Sequence, residues 1–204
     1  MDSAHRVEPN AVKHIAIVGT GVIGSGWTAL FLAHGYKVTA YVRSLASEAK
    51  AMAAVEDAWG KLRARGIAKE AEGWRGRLTC CFTIAECVAD ADYVQESVTE
   101  DLAFKQKIVA EIDRHAPPHV LIGSSSSYLT RSLIALKCDA HPTRVVTVHP
   151  SLPQWDNFVE LLALSSEDTA WLHSLFAGLG MDVVVMRHEK YTPRASNPRL
   201  SDYA

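Results

Sequence analysis

The chain has 204 residues, of which 48% are apolar, and its formal net charge at pH 7 is -2. This content can bury roughly 70% of the unfolded surface, which suffices for one full domain but not for two large ones. The balanced charge provides no broad basic face, so we expect no nucleic-acid partner. No apolar run approaches the roughly 20 residues that span a bilayer, and the polar stretch 1–12 lacks the apolar core of a secretory signal.

Four cysteines occur at positions 80, 81, 87 and 138. Their spacing fits no metal site, and two adjacent cysteines are a poor disulfide candidate. We therefore interpret them as small apolar residues on a buried strand and helix. These observations predict a cytoplasmic protein without a membrane partner.

A short apolar run at 15–18 leads into three glycines and then into a helical pattern. Gly19 permits a tight turn, Gly21 lets the backbone approach a pyrophosphate, and Gly24 lets the helix pack closely on the strand. The pattern predicts the first turn of a dinucleotide-binding βαβ unit, and the alternative is a glycine-rich turn used only for packing. The cofactor-binding residues predicted in this turn are Gly19, Gly21, Val22, Ile23 and Gly24.

Strand and helix patterns alternate along the rest of the chain. Further strands are predicted at 37–42, 78–82, 92–98, 119–123, 144–149, 158–164 and 182–186. Helices are predicted at 47–65, 84–89, 101–115 and 129–136, with another from residue 166. This alternation predicts an α/β fold, a Rossmann-type doubly wound and mostly parallel sheet, in a single domain. The domain is placed at 13–190, between an N-terminal extension at 1–12 and a disordered or loosely packed tail at 191–204.

Two longer segments carry a family resemblance: Val94-Gln-Glu-Ser-Val-Thr-Glu-Asp-Leu-Ala-Phe-Lys105 and Arg144-Val-Val-Thr-Val-His-Pro150. With the glycine turn, they resemble the NAD-binding domain of the 3-hydroxyacyl-CoA dehydrogenase family over about residues 14–187. The similarity is greatest to the branch that contains lambda-crystallin, L-gulonate 3-dehydrogenase and carnitine dehydrogenase. The resemblance implies hydride transfer between a nicotinamide and the CH–OH group of a hydroxy acid or hydroxyacyl thioester.

The resemblance also implies roles for individual residues. Glu100 and Lys105 would lie against the cofactor, although the residues alone also fit an acidic helix N-terminus and an ordinary Asp101–Lys105 surface pair. Ser127, which follows the fifth strand, would hydrogen-bond the reacting oxygen of the substrate. The alternative is a hydroxyl that caps the helix beginning near Tyr128.

His149 ends the sixth strand and is the predicted base, because removal of the hydroxyl proton requires a group that titrates near neutrality. Glu160 would orient its ring and stabilise its charged form. The alternative is a structural histidine at a strand end. The family's Asn-Pro after the histidine is replaced by Ser-Leu-Pro153, and the interval to Glu160 is one residue shorter. A slip inside the strand would turn Glu160 to the wrong face, whereas a deletion within the loop 153–157 would preserve the pair.

The second predicted strand departs from NAD-specific members, because Val42 stands where their ribose-binding acidic residue lies. Arg43 could pair with a 2'-phosphate, helped by the Ser44 hydroxyl, so we favour NADP(H) over NAD(H) as cofactor. The alternatives for Arg43 are stacking on adenine or lying in solvent.

The family's all-helical second domain and its Pro-Gly-Phe junction have no counterpart in this sequence. Apolar surface that this domain covers would be exposed, which favours self-association into a homo-oligomer. Two further function classes therefore stay open beside the enzyme. One is a catalytically impaired or non-catalytic nucleotide-binding module, truncated or completed by a partner chain, and the other is a structural, crystallin-like role.

Overall fold

The computed structural model describes residues 6–69 and 73–189. Eight strands form one sheet: β1 (His14–Val18), β2 (Lys37–Tyr41), β3 (Leu78–Cys81), β4 (Tyr93–Glu96), β5 (Leu121–Ser124), β6 (Val145–Pro150), β7 (Phe158–Leu162) and β8 (Asp182–Val185). The α-helices are α1 (Val22–Ala33), α2 (Leu45–Ala64), α3 (Ile84–Val88), α4 (Leu102–His115), α5 (Arg131–Ile134) and α6 (Ser166–Gly178).

The sheet has the strand order β3-β2-β1-β4-β5-β6-β7-β8. Strands β1 to β6 are parallel, β7 is antiparallel to β6, and β8 is parallel to β7. The chain moves outward from β1 in one direction and then returns to add β4 on its other side. A crevice at the carboxyl ends of the strands results from this reversal, and such crevices bind ligands in open α/β sheets. The predicted Rossmann-type fold is confirmed.

The core has two halves because successive side chains of a strand point to opposite faces. Ile15 and Ile17 pack in one cluster with side chains of α1, α2 and α6. This cluster is rich in aromatic rings. Ala16 and Val18 pack in the other cluster, with α3 and α4. The sheet therefore lies between two helical layers, with the crevice at its carboxyl edge.

The predicted helix at 129–136 is shorter in the structure. Its N-terminal cap is Thr130, whose hydroxyl accepts from the Leu133 amide, and a 3₁₀ turn at Ala135–Lys137 follows α5. The preceding backbone makes other bonds, since the Tyr128 amide donates to Glu100 and the Leu129 amide to the Ser126 hydroxyl. These contacts hold the segment after β5 in a bend, so the helix begins at Arg131 rather than at residue 129.

Residues of the predicted N-terminal extension pack on the domain. Arg6 Nη1 lies 2.6 Å from Asp168 Oδ1, and Trp171 Nε1 donates to the Val7 carbonyl at 2.7 Å. The predicted tail at 191–204 lies outside the described residues. In the described ranges no helix is long and apolar enough to cross a membrane. Within the same ranges, no group of three or more His, Cys, Asp or Glu side chains could hold a metal ion.

Candidate active site

The glycine turn between β1 and α1 leaves no room for side chains at two positions. Gly19 has φ +108°, and a Cβ there would lie 2.5 Å from the Ser97 carbonyl carbon. A Cβ on Gly24 would lie 1.7 Å from the Gly19 carbonyl oxygen. Gly21 has open space within 4 Å of its Cβ position, so its backbone is free to face a ligand. The turn thus has the close-packed form that a dinucleotide-binding site requires.

A groove of about 500 Å³ lies over this turn and the N-terminus of α1. Five of the predicted cofactor-binding residues line this groove: Gly19, Gly21, Val22, Ile23 and Arg43. Its lining also includes a segment after β4 for which no cofactor contact was predicted, Ser97–Thr99. The volume, the glycine turn and the exposed helix N-terminus fit the pyrophosphate and sugars of a dinucleotide.

The end of β2 forms one side of the groove. Val42 is buried, Arg43 is exposed, and Lys50 of α2 adds a second cation to the lining. The Ser44 hydroxyl accepts from the Ser47 amide at 3.2 Å and caps α2. The Ser44 side chain therefore caps α2 and does not line the groove. Lys50 is a candidate cofactor-binding residue that was not predicted from the sequence.

Lys105 and Glu100 lie behind the groove rather than in its lining. Lys105 is 1% exposed, and its Nζ lies 2.8 Å from Glu96 Oε1, 3.1 Å from the Val98 carbonyl and 3.4 Å from Glu100 Oε2. Glu96 also accepts from the Ser124 hydroxyl at 2.6 Å. A contact of Glu100 or Lys105 with cofactor thus stays a prediction, and in the structure both belong to one ion-pair network, in which Lys105 and Glu96 are buried and Glu100 is partly exposed.

This network joins the two loops that flank the crevice. Glu96 accepts from the Val98 amide at 2.6 Å and so anchors the loop that lines the groove. Glu100 accepts from the Ser126 hydroxyl and from the Tyr128 amide, on either side of Ser127. This role of Glu96 was not predicted from the sequence, although a carboxylate in a fully buried strand needs a charged or hydrogen-bonding partner.

Ser127, His149 and Glu160 are brought together in one line of hydrogen bonds. Ser127 Oγ lies 2.9 Å from His149 Nε2, and His149 Nδ1 lies 2.9 Å from Glu160 Oε2. His149 of β6 and Glu160 of β7 are directly opposite in the antiparallel register, so both side chains share one face. The strand register therefore keeps the pair, which a slip inside the strand would have separated.

The family model for the 3-hydroxyacyl-CoA dehydrogenase NAD-binding domain matches residues 14–189. L-carnitine dehydrogenase of Pseudomonas aeruginosa is 44% identical over 142 residues, which cover 70% of this chain and 43% of that protein. The enzyme of the same name from Streptomyces coelicolor is 37% identical over 186 residues, covering 89% of this chain and 57% of that protein.

Solved structures agree with these relatives. The 3-hydroxybutyryl-CoA dehydrogenase of Escherichia coli superposes with a TM-score of 0.76 at 26% identity, covering 85% of this chain and 38% of that chain. An NAD⁺-dependent dismutase, 5-formyl-3-hydroxy-2-methylpyridine 4-carboxylic acid 5-dehydrogenase, superposes with a TM-score of 0.78 at 26% identity, covering 94% and 62%.

The chain spans about half the length of the curated relatives it matches. The matched part is the domain that binds the nicotinamide cofactor. Sequence match, strand order and glycine turn agree, and the chain belongs to the 3-hydroxyacyl-CoA dehydrogenase family as its NAD-binding domain.

Proposed function

We propose that the protein acts in an NAD(P)-dependent dehydrogenase that oxidises the CH–OH group of a small hydroxy acid or hydroxyacyl thioester. The observation that carries the proposal is the pair of 2.9 Å contacts that His149 makes with Ser127 and Glu160. A histidine held by a carboxylate on one nitrogen and facing a hydroxyl with the other is suited to general base catalysis.

The Glu160 carboxylate sets the tautomer of His149. A carboxylate oxygen accepts a hydrogen bond, so Nδ1 carries the ring proton and Nε2 presents its lone pair to the Ser127 hydroxyl. When Nε2 takes a proton from a substrate hydroxyl, the ring becomes positive, and the adjacent carboxylate stabilises that charge. Glu160 is therefore proposed as the residue that orients and stabilises the base.

Ser127 holds the reacting oxygen beside the base. Its hydroxyl both donates and accepts, so it can hydrogen-bond a substrate alcohol while Nε2 receives the proton. A nicotinamide bound in the groove would supply the hydride acceptor for the carbon that carries this hydroxyl. Glu100 fixes the position of Ser127, because it binds the residues on both sides of it.

We further propose NADP(H) as the preferred cofactor. The lining at the end of β2 has two cations, Arg43 and Lys50, and Val42 supplies no acceptor for ribose hydroxyls. A 2'-phosphate would pair with these cations, as phosphates do with arginine forks. Replacing Val42 by Asp is expected to shift preference toward NAD(H), and a wild type that already prefers NAD(H) in titration would refute this preference.

Substrate identity is tested with a panel that includes L-carnitine and 3-hydroxybutyryl-CoA, for which relatives are named. Isothermal titration with both nicotinamide nucleotides precedes a turnover assay on this panel. Oxidation of one member, lost in a His149→Ala variant that still binds nucleotide, supports the proposal. Nucleotide binding without turnover of any member favours the non-catalytic alternative.

The self-association expected from the sequence gives a second arrangement, in which another copy of the chain contributes to the substrate cleft. Sedimentation of the protein alone tests for self-association, with and without nucleotide. Turnover that appears only at concentrations where the protein associates assigns the cleft to a homo-oligomer.

A further inference from the structure

A buried polar cluster lies directly behind the cofactor groove. It consists of Trp27 on α1, Tyr93 and Gln95 on β4, and Ser125 after β5, and none of these four lines the groove. Trp27, Tyr93 and Gln95 are each 0% exposed. A fifth member, Ser97, lies at the edge of the cluster and does line the groove. Buried polar groups are normally hydrogen-bonded. The donor and the acceptor of each hydrogen bond in this cluster follow from which of its groups can only donate.

The first bond runs from tyrosine to glutamine. The Tyr93 hydroxyl lies 2.6 Å from Gln95 Oε1 and makes no other hydrogen bond in the described part of the chain. Burial raises the pKa of Tyr93 well above its usual value, so the phenol keeps its proton and donates it. The other amide atom of Gln95 lies 3.5 Å from the Glu96 carbonyl oxygen and is therefore the nitrogen.

Two obligate donors then converge on one hydroxyl. Gln95 Nε2 lies 2.8 Å from Ser125 Oγ, and Trp27 Nε1 lies 3.1 Å from the same atom. Indole and amide N–H groups can only donate, so they occupy both lone pairs of the Ser125 oxygen. The proton of Ser125 has to point elsewhere, and Ser97 Oγ lies 2.8 Å away.

Ser97 is consequently an acceptor within the cluster. Its own proton needs a different acceptor, and among the described residues Ser97 Oγ makes no hydrogen bond besides the one to Ser125. The groove that Ser97 lines is the remaining direction. Its Cβ lies 3.4 Å from the position that a Cβ on Gly24 would take, which places the hydroxyl beside the first turn of α1.

We infer that Ser97 is a cofactor-binding residue whose hydroxyl proton is directed into the groove by Trp27, Gln95 and Ser125, as a donor to an oxygen of the nucleotide pyrophosphate or its adjoining ribose. The helix N-terminus beside it favours an anionic group at this place. A donor whose orientation is fixed before binding loses little rotational freedom when the ligand arrives. This inference deepens the proposed function but requires only nucleotide binding.

The direct test replaces Ser97 by Ala and measures binding of NADPH and NADH by titration without substrate. Loss of one hydrogen bond is expected to weaken the nucleotide that wild type prefers by about 10-fold. The matched control is Ser132→Ala, which removes a hydroxyl bonded to Glu189 outside the groove and should leave the affinity unchanged. A folded Ser97→Ala protein that binds as tightly as wild type overturns the inference.

A second variant tests the direction of the hydrogen bonds that lead to Ser97, rather than the presence of its hydroxyl. Trp27→Phe removes one of the two donors to Ser125, so Ser97 becomes able to donate to Ser125 instead of into the groove. Affinity should fall by about 3-fold, although Trp27 lines no part of the groove. In the Ser97→Ala background, Trp27→Phe should then have no further effect.

An equal loss from Trp27→Phe in both backgrounds would indicate a general effect on folding and overturn the proposed orientation. Thermal unfolding of each variant reports such an effect independently. Because binding is measured without substrate, failure of all hydroxy acids to turn over would contradict the proposed activity and leave this inference intact.

Discussion

Side chains from two strands and one loop meet around His149. The histidine ends β6, Glu160 comes from β7, and Ser127 comes from the loop after β5. The side chain of His149 is 17% exposed, so its ring is partly shielded while one edge stays open to a ligand. This combination suits a base that has to be oriented by protein yet reached by substrate.

Replacing His149 by Ala should lower kcat by about 10² to 10⁴ if it is the base. The Glu160→Gln variant keeps a hydrogen-bonding side chain but removes the charge, so a smaller loss is expected. Nucleotide affinity should be unchanged in both, because neither residue lines the cofactor groove. His173→Ala, an exposed histidine on α6, is the control. A parallel loss of nucleotide affinity and kcat would contradict the assignment of His149 as the base.

Cys80 gives a prediction about pH. Burial, with the nearby charges of Glu48 and Cys81, raises its pKa from 9.0 to about 11. The thiol of the folded protein therefore stays protonated at pH 8, where its thiolate fraction is about 100-fold below that of an unperturbed cysteine. Alkylation should be slowed by a similar factor and should accelerate as the pH rises toward 11. Alkylation at the rate of free glutathione would contradict the raised pKa.

At the scale of elements, α1 packs closely on the turn after β1 because Gly24 has no side chain. Gly24→Ala would place a methyl group on the Gly19 carbonyl, and a backbone atom cannot rotate away. The variant should lose nucleotide binding and stability together, by about 2 kcal/mol or more in the free energy of unfolding. Gly60→Ala on α2 meets nothing within 4 Å and should instead stabilise by about 0.5–1 kcal/mol. Urea unfolding of the pair separates these effects.

The link between β4 and α4 is the buried ion pair of Glu96 and Lys105, whose side chains are 0% and 1% exposed. Lys105→Met leaves a buried carboxylate unpaired and should cost about 3–5 kcal/mol of stability. Combining it with Glu96→Gln removes the unpaired charge, so the double variant should be more stable than Lys105→Met alone. Urea unfolding of the three variants measures this, and additive losses would show that the two residues do not interact.

The predictable elements are those set by local pattern. The apolar run before Gly19 and the periodicity of β6 and β7 predicted strands, and the structure confirms them. The roles of Glu96 and Ser125 could not be predicted, because they depend on partners that only the folded sheet brings near, such as the Ser124 hydroxyl 28 residues from Glu96. The same holds for Lys105, whose charge is satisfied inside the protein.

At the scale of the whole molecule, the groove is assembled from three distant parts of the chain. Its lining comes from the glycine turn, from the end of β2 with α2, and from the loop and helix after β4. None of these parts can form the site alone. A ligand that binds this groove therefore binds only the folded domain, and binding adds to the stability of that domain.

Thermal unfolding should report this linkage and the cofactor preference together. At a concentration 100 times its Kd, a nucleotide stabilises the fold by about 2.7 kcal/mol, which raises the Tm of a domain this size by about 5–10 °C. NADPH should give the larger shift at equal concentrations, because Arg43 and Lys50 can pair with its 2'-phosphate. Arg43→Ala should weaken NADPH binding about 10-fold and roughly halve its shift, leaving the NADH shift unchanged. Lys37→Ala removes one cation from the opposite end of β2, outside the groove, and should leave both shifts as in wild type. Equal shifts with NADPH and NADH in wild type would instead contradict pairing of Arg43 with a 2'-phosphate and favour its stacking on adenine or lying in solvent.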